Sequence, residues 1–316
     1  MGSPRDALSE FIGGEVMQPV GSAASALVDA IIHRHGRAVD AVLFYGSCLR
    51  RGDPTAAEDP VFDFYVLVDD YRHMYGGRLA AFANALLPPN VFYLEVSWRD
   101  RTLRAKYAVV TLRQFADAMS PRAAHSYFWA RFAQPVRLPY VRDERTRAAV
   151  VDALAEAVTT LAWQTAGLLR ERFTPAELWT CAFQATYGAE LRAERNDRAG
   201  LIYPADRERY DRFAAPALQA AGFEVRMDDD RRLSVVVAAD VRRRAAAAWR
   251  RRRLLGKLLS LLRLTKGAFT LDGGVDYLLW KIERHSGVKT NATPWQRRHP
   301  LLAAPGLAWR LYRRGA

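Results

Sequence analysis

The sequence predicts an α/β (α+β) protein: a mixed sheet with helices over residues 1–140, a mainly helical, winged-helix-like second domain over 141–240, and a basic amphipathic C-terminal region over 241–316. Three observations carry this. Strand-like apolar runs mix with helical patterns in the stretch before residue 111, long Ala/Leu/charged helical patterns follow Pro135, and the segment from Val241 to Lys266 holds ten basic residues and no acid.

Each element has its own signal. Apolar residues recur at helical spacing over 22–33, and residues 38–45 (AVDAVLFY) read as a buried strand ending in Gly46-Ser47. After a polar loop over 50–59, residues 61–68 (VFDFYVLV) form a second strand carrying Asp63 in an apolar setting, where a charge is costly unless it is used. A helix is expected over 78–87 and strands over 91–96 and 103–110, with Pro88-Pro89 marking the turn. Helices are expected over 144–169, 175–195 and 207–220. Residues 223–227 and 232–237, separated by Asp228-Asp229-Asp230, read as a hairpin and suggest a two-stranded wing.

Composition narrows the function classes. With 316 residues, half of them hydrophobic, the chain can bury two cores. The net charge of +13 and a pI near 10.1 draw the protein to polyanions: nucleic acid, nucleotide phosphates or acidic lipid headgroups. Cys48 and Cys181 supply neither a disulfide framework nor a CxxC pair, which argues against a redox motif or zinc knuckle and for a reducing, cytoplasmic setting. No run approaches the roughly 18 apolar residues of a spanning helix, and residues 1–11 do not resemble a signal peptide, so any membrane contact is expected to be peripheral.

The chemistry centres on Gly46-Ser47 and on the aspartate sixteen residues beyond Ser47. A glycine turn after a strand, with a carboxylate on a neighbouring strand, is the skeleton of a nucleotidyltransferase site. Gly46 lets the backbone turn, Ser47 faces phosphates, and Asp63 holds Mg²⁺ against them. The usual Asp-x-Asp pair is absent because Tyr65 stands at the second position, so another carboxylate is required. Glu95 on the next strand is preferred, with Asp53, Asp69 and Asp70 as alternatives.

Six collinear pieces resemble one family: FYGSCLRRGD…FDFYVLVDD, NVFYLEVSW, LRAKYAVV, SYFWARFAQPV, TYGAELR and LTKGAFT. Together they are similar to the mitochondrial-type phosphatidate cytidylyltransferases, the translocator-maintenance CDP-diacylglycerol synthases. Glu190 stands where that family has aspartate, the stretch between His73 and Val91 is shorter, and no transit-peptide-like leader is seen, so a bacterial-type relative is expected. His73 falls where the family carries a histidine.

The resemblance implies transfer of CMP from CTP to phosphatidic acid, with Mg as cofactor and pyrophosphate as leaving group. It implies Asp63, Lys106 and Lys266 as catalytic residues, Tyr45, Gly46, Ser47, Arg131, Glu190 and Arg192 as nucleotide-binding, and Asp63 and Glu95 as metal ligands. Its partners would be CTP, phosphatidic acid and an anionic membrane surface on the inner face of the cytoplasmic membrane, with no nucleic acid. The basic segment fits that surface: Leu255, Leu258, Leu259 and Leu262 share one helical face, and Arg253, Lys257, Ser260 and Arg263 the other. The tail from Trp295 mixes tryptophan, tyrosine and arginine in the manner of an interfacial anchor. Two competing readings are a nucleotidyltransferase with a small-alcohol, protein-hydroxyl or RNA-end acceptor, and a non-catalytic basic nucleic-acid-binding protein.

Overall fold

Strands form where the apolar runs predict them, and the computed structural model describes them within residues 2–51, 53, 60–74, 88–190, 197–270 and 292–298. The chain runs α1 (Pro4–Val16), α2 (Ser22–His35), β1 (Val39–Tyr45), α3 (Ser47–Arg51), β2 (Val61–Val68), α4 (Tyr71–Met74), β3 (Asn90–Trp98) and β4 (Arg101–Thr111). It continues through α5 (Leu112–Met119), α6 (Tyr127–Phe132), β5 (Val136–Val141), α7 (Glu144–Ala166), β6 (Arg172–Phe173), α8 (Pro175–Gly188), α9 (Asp197–Ala205) and α10 (Arg207–Ala220). The last described elements are β7 (Val225–Met227), β8 (Leu233–Val235), α11 (Ala239–Thr270) and α12 (Pro294–Arg298). The helix expected over 78–87 lies outside the described residues, as does the tail after Arg298. The polar loop expected from residue 50 begins later, because Ser47–Arg51 is helical.

Two compact units interleave along the chain, whereas the sequence reading set three consecutive segments. One comprises Met1–Pro19 and Leu112–Leu261, the other Val20–Thr111 and Leu262–Ala316. The N-terminal helix belongs with the helical unit because Leu8, Ile12 and Val16 form a buried stripe, and α1 packs on α7 and α10. The sequence reading named no helix here, although a local signal marks its start: Ser3 and Asp6 form a reciprocal capping box, with Pro4 in the first turn.

In the helical unit, α7 is the central helix, packed against α1, α5, α6, α8 and α10 and buried along most of its length. Asp143 caps its N-terminus by accepting from the Thr146 amide at 2.7 Å. The two strands expected there, β7 and β8, belong to a three-stranded sheet, order β6-β8-β7, because Arg172 and Phe173 pair with Ser234 and Leu233. Near its start, α11 packs through Trp249, Arg252 and Gly256. A Cβ on Gly256 would stand 2.0 Å from the Ala189 carbonyl oxygen, so only glycine permits that approach.

Part of the leucine face expected on α11 is open to solvent. Leu258 and Leu262 are exposed at 54% and 45%, with Leu254 at 75%, while Arg252 is 3% exposed. Arg252 turns inward because its guanidinium lies 5.8 Å and 5.5 Å from the ring centroids of Trp129 and Trp249, and its Nη1 donates to Gln164 Oε1 at 2.8 Å. Burial, and then the charge of Arg251, lower its pKa to about 10.

In the other unit the strand order is β3-β4-β2-β1, with β2 and β4 parallel and the remaining neighbours antiparallel. The register produces two adjacent rows that span all four strands. Phe44, Phe64, Tyr107 and Phe92 form one row, and the next is Tyr45, Asp63, Lys106 and Tyr93. Because side chains alternate along a strand, the rows face opposite sides of the sheet. The aromatic row is buried on the α2 side, where the His35 ring lies 5.6 Å from that of Tyr107. The acid that looked misplaced in an apolar strand therefore stands on the other face.

Candidate functional site

The polar row occupies the end of the sheet at which β1 finishes and β2 and β4 begin. Tyr45, the last residue of β1, pairs with Asp63, and Gly46 follows at φ +89, a left-handed conformation that glycine adopts without strain. A Cβ on Gly46 would lie 3.2 Å from Asp63 Oδ2. The turn thus brings bare backbone against one carboxylate oxygen.

The other oxygen, Oδ1, is 3.2 Å from the Lys106 Nζ, the two residues being register partners on parallel strands. Asp63 and Lys106 side chains are 27% and 35% exposed, so the pair is reachable by a solute. Ser47 is exposed at the start of α3, and its hydroxyl accepts from Arg51 Nη2 at 3.1 Å. Tyr45 packs its ring 5.5 Å from that of Tyr65. Cys48 is buried, and its thiol donates to the Val61 carbonyl at 3.3 Å. Burial and then the Asp63 charge push that thiol up, which suits a filler and not a nucleophile.

Tyr45, Gly46, Asp63 and Lys106 are thus brought together. Glu95 lies on β3, separated from β2 by β4 and two residues along from Tyr93, so about 10 Å of strand spacing intervenes before that offset is added. Its Oε1 accepts from the Tyr93 hydroxyl at 2.8 Å and from Arg104 Nε at 3.0 Å. Asp53, one of the alternative ligands, caps α2: its carboxylate accepts from the Ser22 amide and hydroxyl at 2.9 and 2.8 Å and from the Ala23 amide at 3.1 Å.

Arg131 and Glu190 belong to the helical unit. The Arg131 guanidinium lies 4.3 Å from the Tyr127 ring centroid. Lys266 lies in the last turns of α11, so its backbone is helical. Arg192 lies outside the described residues.

Neither a protein-family model nor a curated protein matches this chain.

The residues present fit a magnesium ion of the kind that leans on a nucleotide. Mg²⁺ takes hard oxygen ligands and is commonly held by one or two carboxylates plus substrate phosphates, and Asp63 offers an accessible carboxylate beside a backbone turn with no side chain in the way. Among the described residues no group of three His, Cys, Asp or Glu gathers as an all-protein cage. Sequence reasoning missed Tyr93 and Arg104. Period-two spacing places Arg104 with Lys106 and Tyr93 with Glu95 on shared faces, but which strand neighbours which is not a property of spacing.

Proposed function

We propose that this chain is a magnesium-dependent nucleotidyltransferase that transfers CMP from CTP to phosphatidic acid, giving CDP-diacylglycerol and pyrophosphate. The observation carrying the reading is the juxtaposition of Asp63, the positive-φ Gly46 turn and Lys106 at one accessible end of the sheet. The acceptor comes from the family resemblance, together with the exposed leucines and arginines of α11.

An oxygen of the phosphatidate phosphate attacks the α-phosphorus of CTP, a new P–O bond forms, and the bond to the bridging oxygen of the β-phosphate breaks in line. An ionised phosphate is already a nucleophile, so the protein's task is positioning and charge neutralisation. Asp63 would hold the ion through its carboxylate, and that ion, when bound, supplies charge neutralisation at the phosphates. Gly46 lets the triphosphate approach the backbone closely, and Ser47 offers its amide and hydroxyl. Lys106 holds Asp63 in place and supplies a cation beside the α-phosphate. Arg131, Glu190, Arg192 and Lys266 enter this reading from the resemblance alone.

Membrane contact would be peripheral: among the described residues no helix is long and apolar enough to cross a membrane. The test is pyrophosphate release from CTP and Mg²⁺, with and without phosphatidic acid vesicles, for native protein and Asp63→Asn. Release that requires the vesicles and disappears in the variant supports the reading. Equal release with an alcohol or RNA acceptor would replace the lipid, and no release with any acceptor would end the enzymatic reading.

A further inference from the structure

On the face of β4 that carries Lys106, the residue two positions earlier is Arg104, about 7 Å along the strand and on the side of the Gly46 turn. Its register partner on β2 is Val61, which brings no charge; its partner on β3 is Glu95. Arg104 Nε donates to Glu95 Oε1 at 3.0 Å, and the Tyr93 hydroxyl donates to the same oxygen at 2.8 Å. The Arg104 side chain is 19% exposed and that of Glu95 46%. Tyr93 is buried, so its hydroxyl is held in that position by packing.

This arrangement differs from the Asp63–Lys106 pair. There the acid borders the bare backbone of a glycine turn. Here a buried tyrosine and an arginine converge on one carboxylate oxygen, the pattern of a carboxylate that orients a cation. A guanidinium held through Nε presents a planar fork suited to phosphate oxygens, in line with a lysine one pleat away.

Building on the nucleotidyltransferase reading above, we propose that Arg104 receives the β- and γ-phosphates of the nucleotide, and hence the leaving pyrophosphate, and that Glu95 with Tyr93 positions its guanidinium and is not a metal ligand. Triphosphate laid along β4 would meet Lys106 near the α-phosphate and Arg104 beyond it. When the α–β bridging bond breaks, its electron pair goes to the pyrophosphate oxygen, where Arg104 stabilises the added charge.

The test is calorimetric titration of the full chain, with Mg²⁺ present, by CTP, CMP and inorganic pyrophosphate, using native protein, Arg104→Met, Arg104→Lys and Glu95→Gln. Circular dichroism and thermal melting check that each variant is folded. Arg104→Met should weaken CTP and pyrophosphate about tenfold or more, the scale of one charge-assisted hydrogen bond, and leave CMP within about twofold. Arg104→Lys should recover part of the loss. Glu95→Gln should weaken CTP several-fold while the Mg²⁺ midpoint for CTP binding stays fixed.

Equal loss of CTP and CMP in Arg104→Met, or no loss of either, would overturn the Arg104 assignment while leaving the wider reading intact. A large shift of the Mg²⁺ midpoint in Glu95→Gln would return Glu95 to the metal. Native protein that binds none of the three ligands would overturn both this inference and the nucleotidyltransferase reading beneath it.

Discussion

Lys106 and Asp63 face each other across two parallel strands, Nζ to Oδ1 at 3.2 Å, in a row whose immediate neighbour on the other face is wholly aromatic. About a third of each side chain reaches solvent, so the pair contributes at most about 1 kcal/mol to stability. So small a gain points to use of the pair rather than to a folding role. Lys106→Met should therefore leave the urea midpoint nearly unchanged while lowering CTP turnover about a hundredfold, the scale seen when one electrostatic stabiliser is removed. A large loss of stability with turnover preserved would make Lys106 structural.

Gly46→Ala tests the turn. The φ of +89 disfavours any side chain by about 1–2 kcal/mol, and the added methyl would press on Asp63 Oδ2 at 3.2 Å. We expect a modest fall in melting temperature and a disproportionate loss of Mg²⁺-dependent nucleotide binding, read by titration calorimetry. Wild-type affinity in a folded Gly46→Ala protein would remove the turn from the site.

Glu15 tests the helical unit. Its two oxygens accept from Arg209 Nε at 2.9 and 3.0 Å, with both side chains about nine-tenths covered, and Arg209 Nη1 donates to the Ala133 carbonyl at 2.8 Å. Removing the acid strands a covered guanidinium, so Glu15→Ala should cost about 3 kcal/mol in chemical denaturation. A change below about 0.5 kcal/mol would show that Arg209 finds another partner.

His35 predicts a pH dependence. Burial, then the charge of Arg34, lower its pKa to about 4 from the ordinary 6.5, and its Nε2 is 2.8 Å from the Tyr107 hydroxyl. Between those values the unfolded chain takes up a proton that the folded chain refuses. Stability from this residue is therefore fully present above pH 6.5 and is lost as pH falls toward 4. His35→Asn should flatten that part of the melting-temperature profile; an unchanged profile would assign it to other groups.

The leucines of α11 predict vesicle binding. Leu254, Leu258 and Leu262 stand exposed among Arg250, Arg251, Arg253 and Lys257, a surface suited to anionic headgroups. Replacing all three leucines by serine should reduce co-sedimentation with phosphatidic acid vesicles about tenfold or more, since each buried leucine is worth about 1.5–3 kcal/mol, and leave CTP affinity unaltered. Undiminished vesicle binding would remove this face from membrane contact.

Much of this molecule could be read from local pattern. The strand over Val61–Val68 and the helix over Arg207–Ala220 fall where periodicity places them, and the Gly46-Ser47 turn and Asp63 stand out because a turn residue and an acid interrupt apolar runs. Such signals are local: side-chain alternation, capping and φ preference act within a few residues. Only the tertiary structure decided which strands are neighbours, and with that the partner of each charge. Parallel pairing of β2 with β4 set Lys106 beside Asp63, and the antiparallel β3–β4 hairpin gave Glu95 to Arg104. It also decided which basic residue of α11 is buried: two tryptophan faces accept Arg252, while Leu254, Leu258 and Leu262 stand exposed. Register and cation–π packing join residues far apart in the chain, so no window of sequence contains them.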